Sequence, residues 1–330
     1  MIIKLSHKFE DFISVNNLLE AYVEFTKGKM TKNDVLEFSF NLMDNLFMLR
    51  DDLVNHTYKH GLYQEFKIND PKSRIIHKAT VRDRILHRAV YRLLYPYFDK
   101  KFIADSFSCR NKKGTHKAIE RFAEFGRKVS KNNTKQCHIL KCDIKKFFHS
   151  INQEVLLKIL EKHINDKDIF NLLREIIASF NSGKSGTGLP LGNLTSQLFA
   201  NVYLNELDQF AKHKLKAKYY IRYTDDFVIL SQDRNYLENL IPIISDFLQN
   251  ELKLSLHSNK VFIGRLNMGV DFLGWINFSD YKVLRTKTKN RILKRISRGL
   301  GIEIVNSYLG LLKHGKAGKI RKKLLKILTN

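Results

Sequence analysis

The sequence predicts an α+β fold, with helices packed against an antiparallel sheet. Three observations predict it. Residues 218–230, Lys-Tyr-Tyr-Ile-Arg-Tyr-Thr-Asp-Asp-Phe-Val-Ile-Leu, place two aromatic and β-branched runs around a polar centre, the pattern of a β-hairpin. Cys137 to Cys142 is a second apolar strand candidate, and it ends on Asp143. Val35, Phe38, Leu42, Leu46, Leu49 and Leu53 step by threes and fours, and Leu194, Leu198 and Val202, with Phe199, Tyr203 and Leu207, step by fours, which predicts amphipathic helices.

The chain has 330 residues, 43% of them hydrophobic, enough for one large domain or a few packed subdomains. Lys and Arg number 58 against 33 acids, a formal charge of +25 that favours a polyanionic partner, nucleic acid first. An anionic membrane surface competes with that reading, but no stretch stays apolar for about 18 residues, so no span is expected. Lys4, His7 and Lys8 interrupt any signal-peptide pattern. Cys109, Cys137 and Cys142 show neither metal-site spacing nor a paired framework, which fits a reducing cytoplasm.

Taken in order, residues 9–27 predict a helix closed by Gly28, and Thr31 with Asp34 resembles a capping box for the next one. Residues 61–80 read as short strands broken at Asn69-Asp70-Pro71, and Val81 to Tyr97 as a helix ending near Pro96. Cations crowd from Lys72 to Arg88, either as a solvated face or as a surface for phosphates. Arg110, Lys112 and Lys113 beside Gly114 lead into a helix from about Lys117, a candidate anion site. A helix is expected near Gln153–His163. Residues 182–192 form a glycine-rich loop without Walker spacing, followed by the long helix from Asn193. Leu237 to Asn250 predicts a helix. Leu252 to Leu256, Val261 to Ile263 and Asp271 to Ile276 predict strands. The basic end carries helical spacing at Ile292, Ile296 and Leu300, then a second helix over about 317–328.

Asp225 and Asp226 fall side by side at the hairpin tip, where their charges repel. An ordinary polar turn is one explanation. A divalent cation with hard oxygen ligands, Mg²⁺, is the other, and Asp143 at its strand end is the natural third ligand.

Together these residues carry a resemblance. The ordered series is the basic segment, Asp143 with Phe148 beyond it, Gly188-Leu-Pro-Leu-Gly-Asn-Leu-Thr-Ser-Gln197, Tyr223-Thr-Asp-Asp226, Lys260 and Phe272-Leu-Gly274. It resembles the motif series of reverse transcriptases over residues 10–285. Within that superfamily the chain resembles the enzymes of diversity-generating retroelements. Leu191 stands where most relatives carry Gln, and Gln197 where they carry Pro. The segments from Asp70 to Arg74, Asp83 to His87 and Asn201 to Asn205 resemble the same group.

The resemblance implies a right-hand polymerase: an N-terminal helical extension over 1–30, fingers over 31–136, a palm over 137–278 and a basic helical thumb over 279–330. It implies error-prone, adenine-mutagenic cDNA synthesis (mutagenic retrohoming) with two Mg²⁺ ions, Mn²⁺ substituting, held by Asp143, Asp225, Asp226 and the Ile144 carbonyl. Lys260 matches a proton donor to pyrophosphate, with a solvated lysine as its alternative. Lys72, Arg74 and Arg84 would hold the triphosphate. Phe148 would lie beneath the sugar, and Leu191, Gly192 and Gln197 beside the new base pair. Arg110, Lys112, Lys113, Tyr223, Lys287, Lys289 and Arg291 would grip nucleic acid. The implied partners are template RNA, primer–template, deoxynucleoside triphosphates and a small basic accessory variability protein. A domesticated antiphage reverse transcriptase and a non-catalytic RNA-binding protein are the alternatives.

Overall fold

The computed structural model describes residues 4–69, 73–296 and 301–329. Lys72 and Leu300 lie outside them. The chain divides into two compact units, Met1–Ile103 with Ile144–Phe210 and Asp246–Ser255, and Ala104–Asp143 with Ala211–Ser245 and Leu256–Asn330.

The first unit opens on α1 (Phe9–Ile13) and α2 (Val15–Thr26). The single expected helix breaks at Ser14, whose extended backbone frees its hydroxyl to accept from Asn17 N–H. The helix expected across 35–53 is likewise two, α3 (Asn33–Phe40) and α4 (Leu42–Val54), separated at Asn41 with φ −117°. The capping box at Thr31 does not form. Lys32 is the N-cap, and the Asp34 carboxylate pairs with Lys78 and Arg84 instead. The short strands expected there are β1 (Gln64–Ile68) and β2 (Arg74–Lys78), which pair antiparallel. Helix α5 (Val81–Asp99) starts on a Thr80 cap and runs through Pro96 rather than ending there.

Helix α6 (Thr115–Val129) belongs to the second unit; the first resumes with α7 (Phe147–Ser150), α8 (Gln153–Glu161), α9 (Lys167–Ala178) and α10 (Leu194–Gln209). Helix α9 was not expected, although Asp166 caps it and Ile169, Leu172, Leu173, Ile176 and Ile177 bury one face. Both α2 and α10 pack on α5.

The second unit is built on a four-stranded sheet, β3 (His138–Asp143), β4 (Tyr220–Tyr223), β5 (Asp226–Ser231) and β6 (Phe262–Arg265), in the order β4-β5-β3-β6. Every pairing is antiparallel. Helix α6 (Thr115–Val129) packs Ala118, Phe122, Phe125 and Val129 on Ile139, Ile221, Val228 and Leu230. Helix α11 (Arg234–Asn250) follows β5. Leu252 to Leu256 is irregular rather than a strand, although Leu252 and Leu254 are buried. The strand expected over Asp271–Ile276 is a tight hairpin, β7 (Val270–Phe272) and β8 (Trp275–Asn277), turning on Leu273 and Gly274 with φ +52° and +86°. Two successive positive φ values match the twist of the flanking strands, which a single continuous strand reading ignores.

Strand β9 (Lys282–Leu284) completes that small sheet. Helices α12 (Thr286–Ile296), α13 (Ile302–Leu312) and α14 (Gly318–Thr329) follow, α13 having escaped the sequence reading. Trp275, Ile292, Val305, Tyr308, Leu312 and Leu324 form their common core. Among the described residues no helix is long and apolar enough to cross a membrane.

The tightest point of that core is Gly315, where an added Cβ would meet the Trp275 ring 2.1 Å away. Gly315→Ala should therefore cost roughly 1–3 kcal/mol by overpacking. Urea denaturation checks this: an unshifted midpoint would show that the helices do not close on Trp275 as described.

Candidate active site

Strand pairing assembles the site. In the β3–β5 register Asp143 lies directly opposite Asp226. The β4–β5 connection is only Thr224 and Asp225, with Thr224 at φ +54°. Directly opposed residues of an antiparallel pair bring their Cβ atoms to about 5 Å. Two carboxylates therefore face one another at the sheet end, and a third is adjacent in the chain. Burial first, then the charges of Asp143 and Asp226, push the Asp225 carboxyl up to about 6. Burial also raises Asp226; Lys141 opposes that rise and Asp143 adds to it.

Two ammonium groups offset the repulsion. Lys260 ends a short 3₁₀ turn, Ser258–Lys260, and donates to Asp143 Oδ1 at 2.8 Å. That turn is tied to β3, because His257 N–H donates to the Asp143 carbonyl at 2.8 Å. Lys141 lies two residues before Asp143 on the same strand face. Its Nζ is 3.8 Å from Asp226 Oδ1 and donates to the Asp271 carbonyl at 2.8 Å. Asp271 in turn pairs with Arg285 at 3.0 Å.

The hairpin tip is held from behind by a buried cation. Arg222 is fully buried; one guanidinium nitrogen donates to the Thr224 carbonyl at 3.1 Å and another to Ser106 Oγ at 3.1 Å. Residues 105–107 run alongside β4 through Arg222 N–H to the Asp105 carbonyl and Phe107 N–H to the Arg222 carbonyl, both 3.0 Å. Thr224 also donates to Ser108 Oγ at 2.6 Å. Arg121 and Lys212 flank the Asp105 carboxylate at 3.0 and 3.2 Å. Sequence reasoning missed Lys141, Arg222, Ser106, Ser108 and Asp271. Lys141 alone carried a usable signal, its i, i+2 spacing from Asp143 on a strand.

Clustered carboxylate oxygens, two of them with raised proton affinity, are hard donors suited to a divalent cation. Among the described residues, however, no three acidic, His or Cys side chains stand ready as a metal-ligand group. Asp143 instead accepts from Lys260.

The other predicted residues fall as follows. Ile144 begins the next segment of the first unit. Phe148, on α7, has its carbonyl bound by Leu189 N–H of the glycine-rich loop at 2.8 Å. The Leu191 carbonyl accepts from His77 N–H on β2 at 2.9 Å. Gly192, at φ +112°, has Ile76 Cγ2 2.6 Å from where a Cβ would be, so β2 fills its open side.

Arg84 pairs with Asp34 alongside Lys78, whereas Arg74 lies four residues along β2 from Lys78, about 13 Å of strand. Arg110 and Lys113 donate to the carbonyls of Ser106 and Ala104, and Lys112 is exposed. The Tyr223 hydroxyl accepts from Thr115 at 3.0 Å. On α12, Lys287 and Lys289 are exposed and Arg291 is half-buried.

Comparison with known proteins agrees with the motif order. The family described as reverse transcriptase (RNA-dependent DNA polymerase) matches residues 65–277. Protein YkfC of Escherichia coli is 24% identical over 277 residues, covering 69% of this chain and 70% of YkfC. The group II intron-encoded protein LtrA of Lactococcus lactis subsp. cremoris is 23% identical over 307 residues, covering 71% of this chain and 49% of LtrA. In fold, the chain resembles Candida albicans telomerase solved with a fragment of telomeric RNA. The TM-score is 0.53 at 11% identity, over 83% of this chain and 55% of that one. The chain thus spans about half the length of these intron-encoded and telomerase proteins.

The raised Asp225 pKa has a stability consequence. An aspartate that binds its proton more tightly when folded contributes stability below its unfolded pKa of about 3.9, lost as pH rises through about 6. In metal-free buffer at pH 7.5, Asp225→Asn should raise the melting temperature by about 2 °C, the scale of ~1 kcal/mol for a chain this long. The gain should vanish near pH 4. Calorimetry that finds Asp225→Asn destabilising at pH 7.5 contradicts the charge crowding.

Proposed function

We propose that this chain, which belongs to the reverse transcriptase (RNA-dependent DNA polymerase) family, copies a template RNA into DNA by joining deoxynucleoside triphosphates to a primer 3′-hydroxyl. One observation carries the reading: Asp143 opposes Asp226 at the end of an antiparallel sheet, with Asp225 in the adjoining two-residue turn. Asp143, Asp225, Asp226 and the Ile144 carbonyl would hold two Mg²⁺ ions, Mn²⁺ substituting, which when bound stabilise charge on the attacking and leaving oxygens. Lys260, whose ammonium lies 2.8 Å from Asp143 Oδ1, is assigned as general acid toward the departing pyrophosphate. Lys72 and Arg74 would neutralise the triphosphate, Arg74, at the start of β2, through a planar guanidinium. Phe148 would exclude a ribose 2′-hydroxyl by its bulk.

The finer reading is error-prone synthesis for a diversity-generating retroelement, from a template-repeat RNA and with a small basic accessory protein as partner. Leu191 and Gln197 support it. An aliphatic side chain at 191 supplies no polar contact to a new base pair, so geometric checking loosens. The carbonyl of Leu191 is already bound to His77, which leaves the side chain as the variable element. Exposed Lys287 and Lys289 on α12 suit a phosphate backbone read by shape.

Primer extension on an RNA template with Mg²⁺ tests the activity. Wild type should extend a DNA primer, and Asp225→Ala should fall by about 10³-fold or more, some 4 kcal/mol of transition-state stabilisation. Equal extension by both proteins rules out the assigned carboxylates. Sequencing of the products tests the finer reading. Leu191→Gln should lower misincorporation opposite template adenines by ~10-fold, the effect of about one hydrogen bond. An unchanged error spectrum would remove Leu191 from fidelity.

A further inference from the structure

Helices α3 and α4 carry two apolar faces. Val35, Leu46, Leu49 and Leu53 are buried, the inward stripe of an amphipathic helix. A second stripe, Leu36, Phe40, Met43 and Phe47, is exposed, Phe40 to 85%. Single apolar side chains in solvent are ordinary, but these are not scattered. Among the described residues, six of the nineteen large exposed hydrophobic side chains lie on these two helices, which are only 8 and 13 residues long. The stripe steps by four, three and four, and it continues across the break at Asn41 to Arg50 and Val54. That is the a and d spacing of a coiled-coil seam, which receives the side chains of another helix. From Leu36 to Val54 it offers about 27 Å of helix.

The same helices reverse the sign of the chain. Residues 33–54 hold Asp34, Glu37, Asp44, Asp51 and Asp52 against Arg50 alone, a net charge of −4 in a chain at +25. Asp34 turns to Lys78 and Arg84, and Asp52 to Arg82. Glu37, Asp44 and Asp51 remain exposed. They recur every seven residues, each directly after a d position of the seam, which is the flank that pairs with charges on a partner helix. Among the described residues, only Asp51 of these three has a cationic partner, Arg50 at 3.8 Å. Such a flank repels phosphate backbones and anionic lipid, so the polyanion that suits the rest of the chain does not suit this face. The same face of a second copy would set acids against acids.

We propose that the outer face of α3 and α4 docks an amphipathic helix of a second protein. Its apolar seam lies on Leu36, Phe40, Met43 and Phe47, and its flanking Lys or Arg residues lie on Glu37, Asp44 and Asp51. The surface stands without the polymerase reading, because none of these residues serves in it.

Fluorescence anisotropy with the full chain tests this. The probe is a labelled synthetic helix of three heptads, Leu at a and d and Lys at e and g; a second probe carries Glu in place of Lys. The wild type should bind the Lys probe and not the Glu probe. Phe40→Ala and Phe47→Ala should each weaken binding about 10-fold, the loss of one interface anchor. The double variant Glu37→Lys with Asp44→Lys should release the Lys probe and take up the Glu probe at least 10-fold more tightly than wild type does, an exchange that misfolding cannot produce. The proposal is overturned if the two probes bind wild type equally, or if Phe40→Ala and Phe47→Ala both leave affinity for the Lys probe unchanged. It is equally overturned if sedimentation shows the chain alone pairing through Phe40 and Phe47, because the occupant is then a second copy.

Discussion

Like charge at one sheet end is the constraint on which the second unit is built. Strand register forces Asp143 and Asp226 to face one another, and a two-residue turn leaves Asp225 no room to retreat. Such a cluster would relax by turning outward if the backbone were free. It is not free. A fully buried arginine ties the turn carbonyl to Ser106, the segment 105–107 extends the pairing beside β4, and α6 covers one face of the sheet. Lys260 and Lys141 reduce the repulsion without abolishing it, since Asp225 still binds its proton unusually tightly. Stability is thereby spent locally to keep anionic oxygens together, which only a cationic ligand would reward.

The first unit shows the opposite sign of the same device. Lys29, Lys78, Arg84 and Arg88 line one cavity, and Asp34 is shared between two of them. Asp34 sits in the first turn of α3, a position where its charge also suits the helix dipole. It therefore holds two cations in place at once. The formal charge of +25 is not a uniform coat: four of its cations gather round one cavity.

How much was legible in the sequence follows from the range of each interaction. The β3 strand with its terminal Asp143, the Tyr223–Asp226 hairpin and the short runs that become β1 and β2 were readable, because alternation and turn chemistry are local. Helix breaks at Ser14 and Asn41 were not, since the apolar period continues across both. Pro96 was read as a terminator, yet α5 runs on to Asp99. The positive φ at Leu273 hid the β7–β8 turn, as Leu is an unusual residue there. Helices α9 and α13 carried enough apolar spacing to be found and were overlooked. At the site, the acids were legible and their supports were not. Arg222 and Ser106 are 116 residues apart in sequence, and no local pattern links them.

The glycine-rich loop shows why placement alters the meaning of a motif. Gly192 invites the idea of close approach to a ligand. In the fold its missing side chain is matched by Ile76, and its neighbours are fastened to β2 at His77, Leu191 through its carbonyl and Asn193 through its side-chain amide. The Leu191 carbonyl and the Asn193 amide share that one strand residue. A loop pinned in this way cannot adjust its backbone to suit the side chain at 191. The difference between an aliphatic and an amide residue there is then expressed in side-chain chemistry alone. The glycine thus serves to fix the loop-to-helix connection from which Leu191 and Gln197 project.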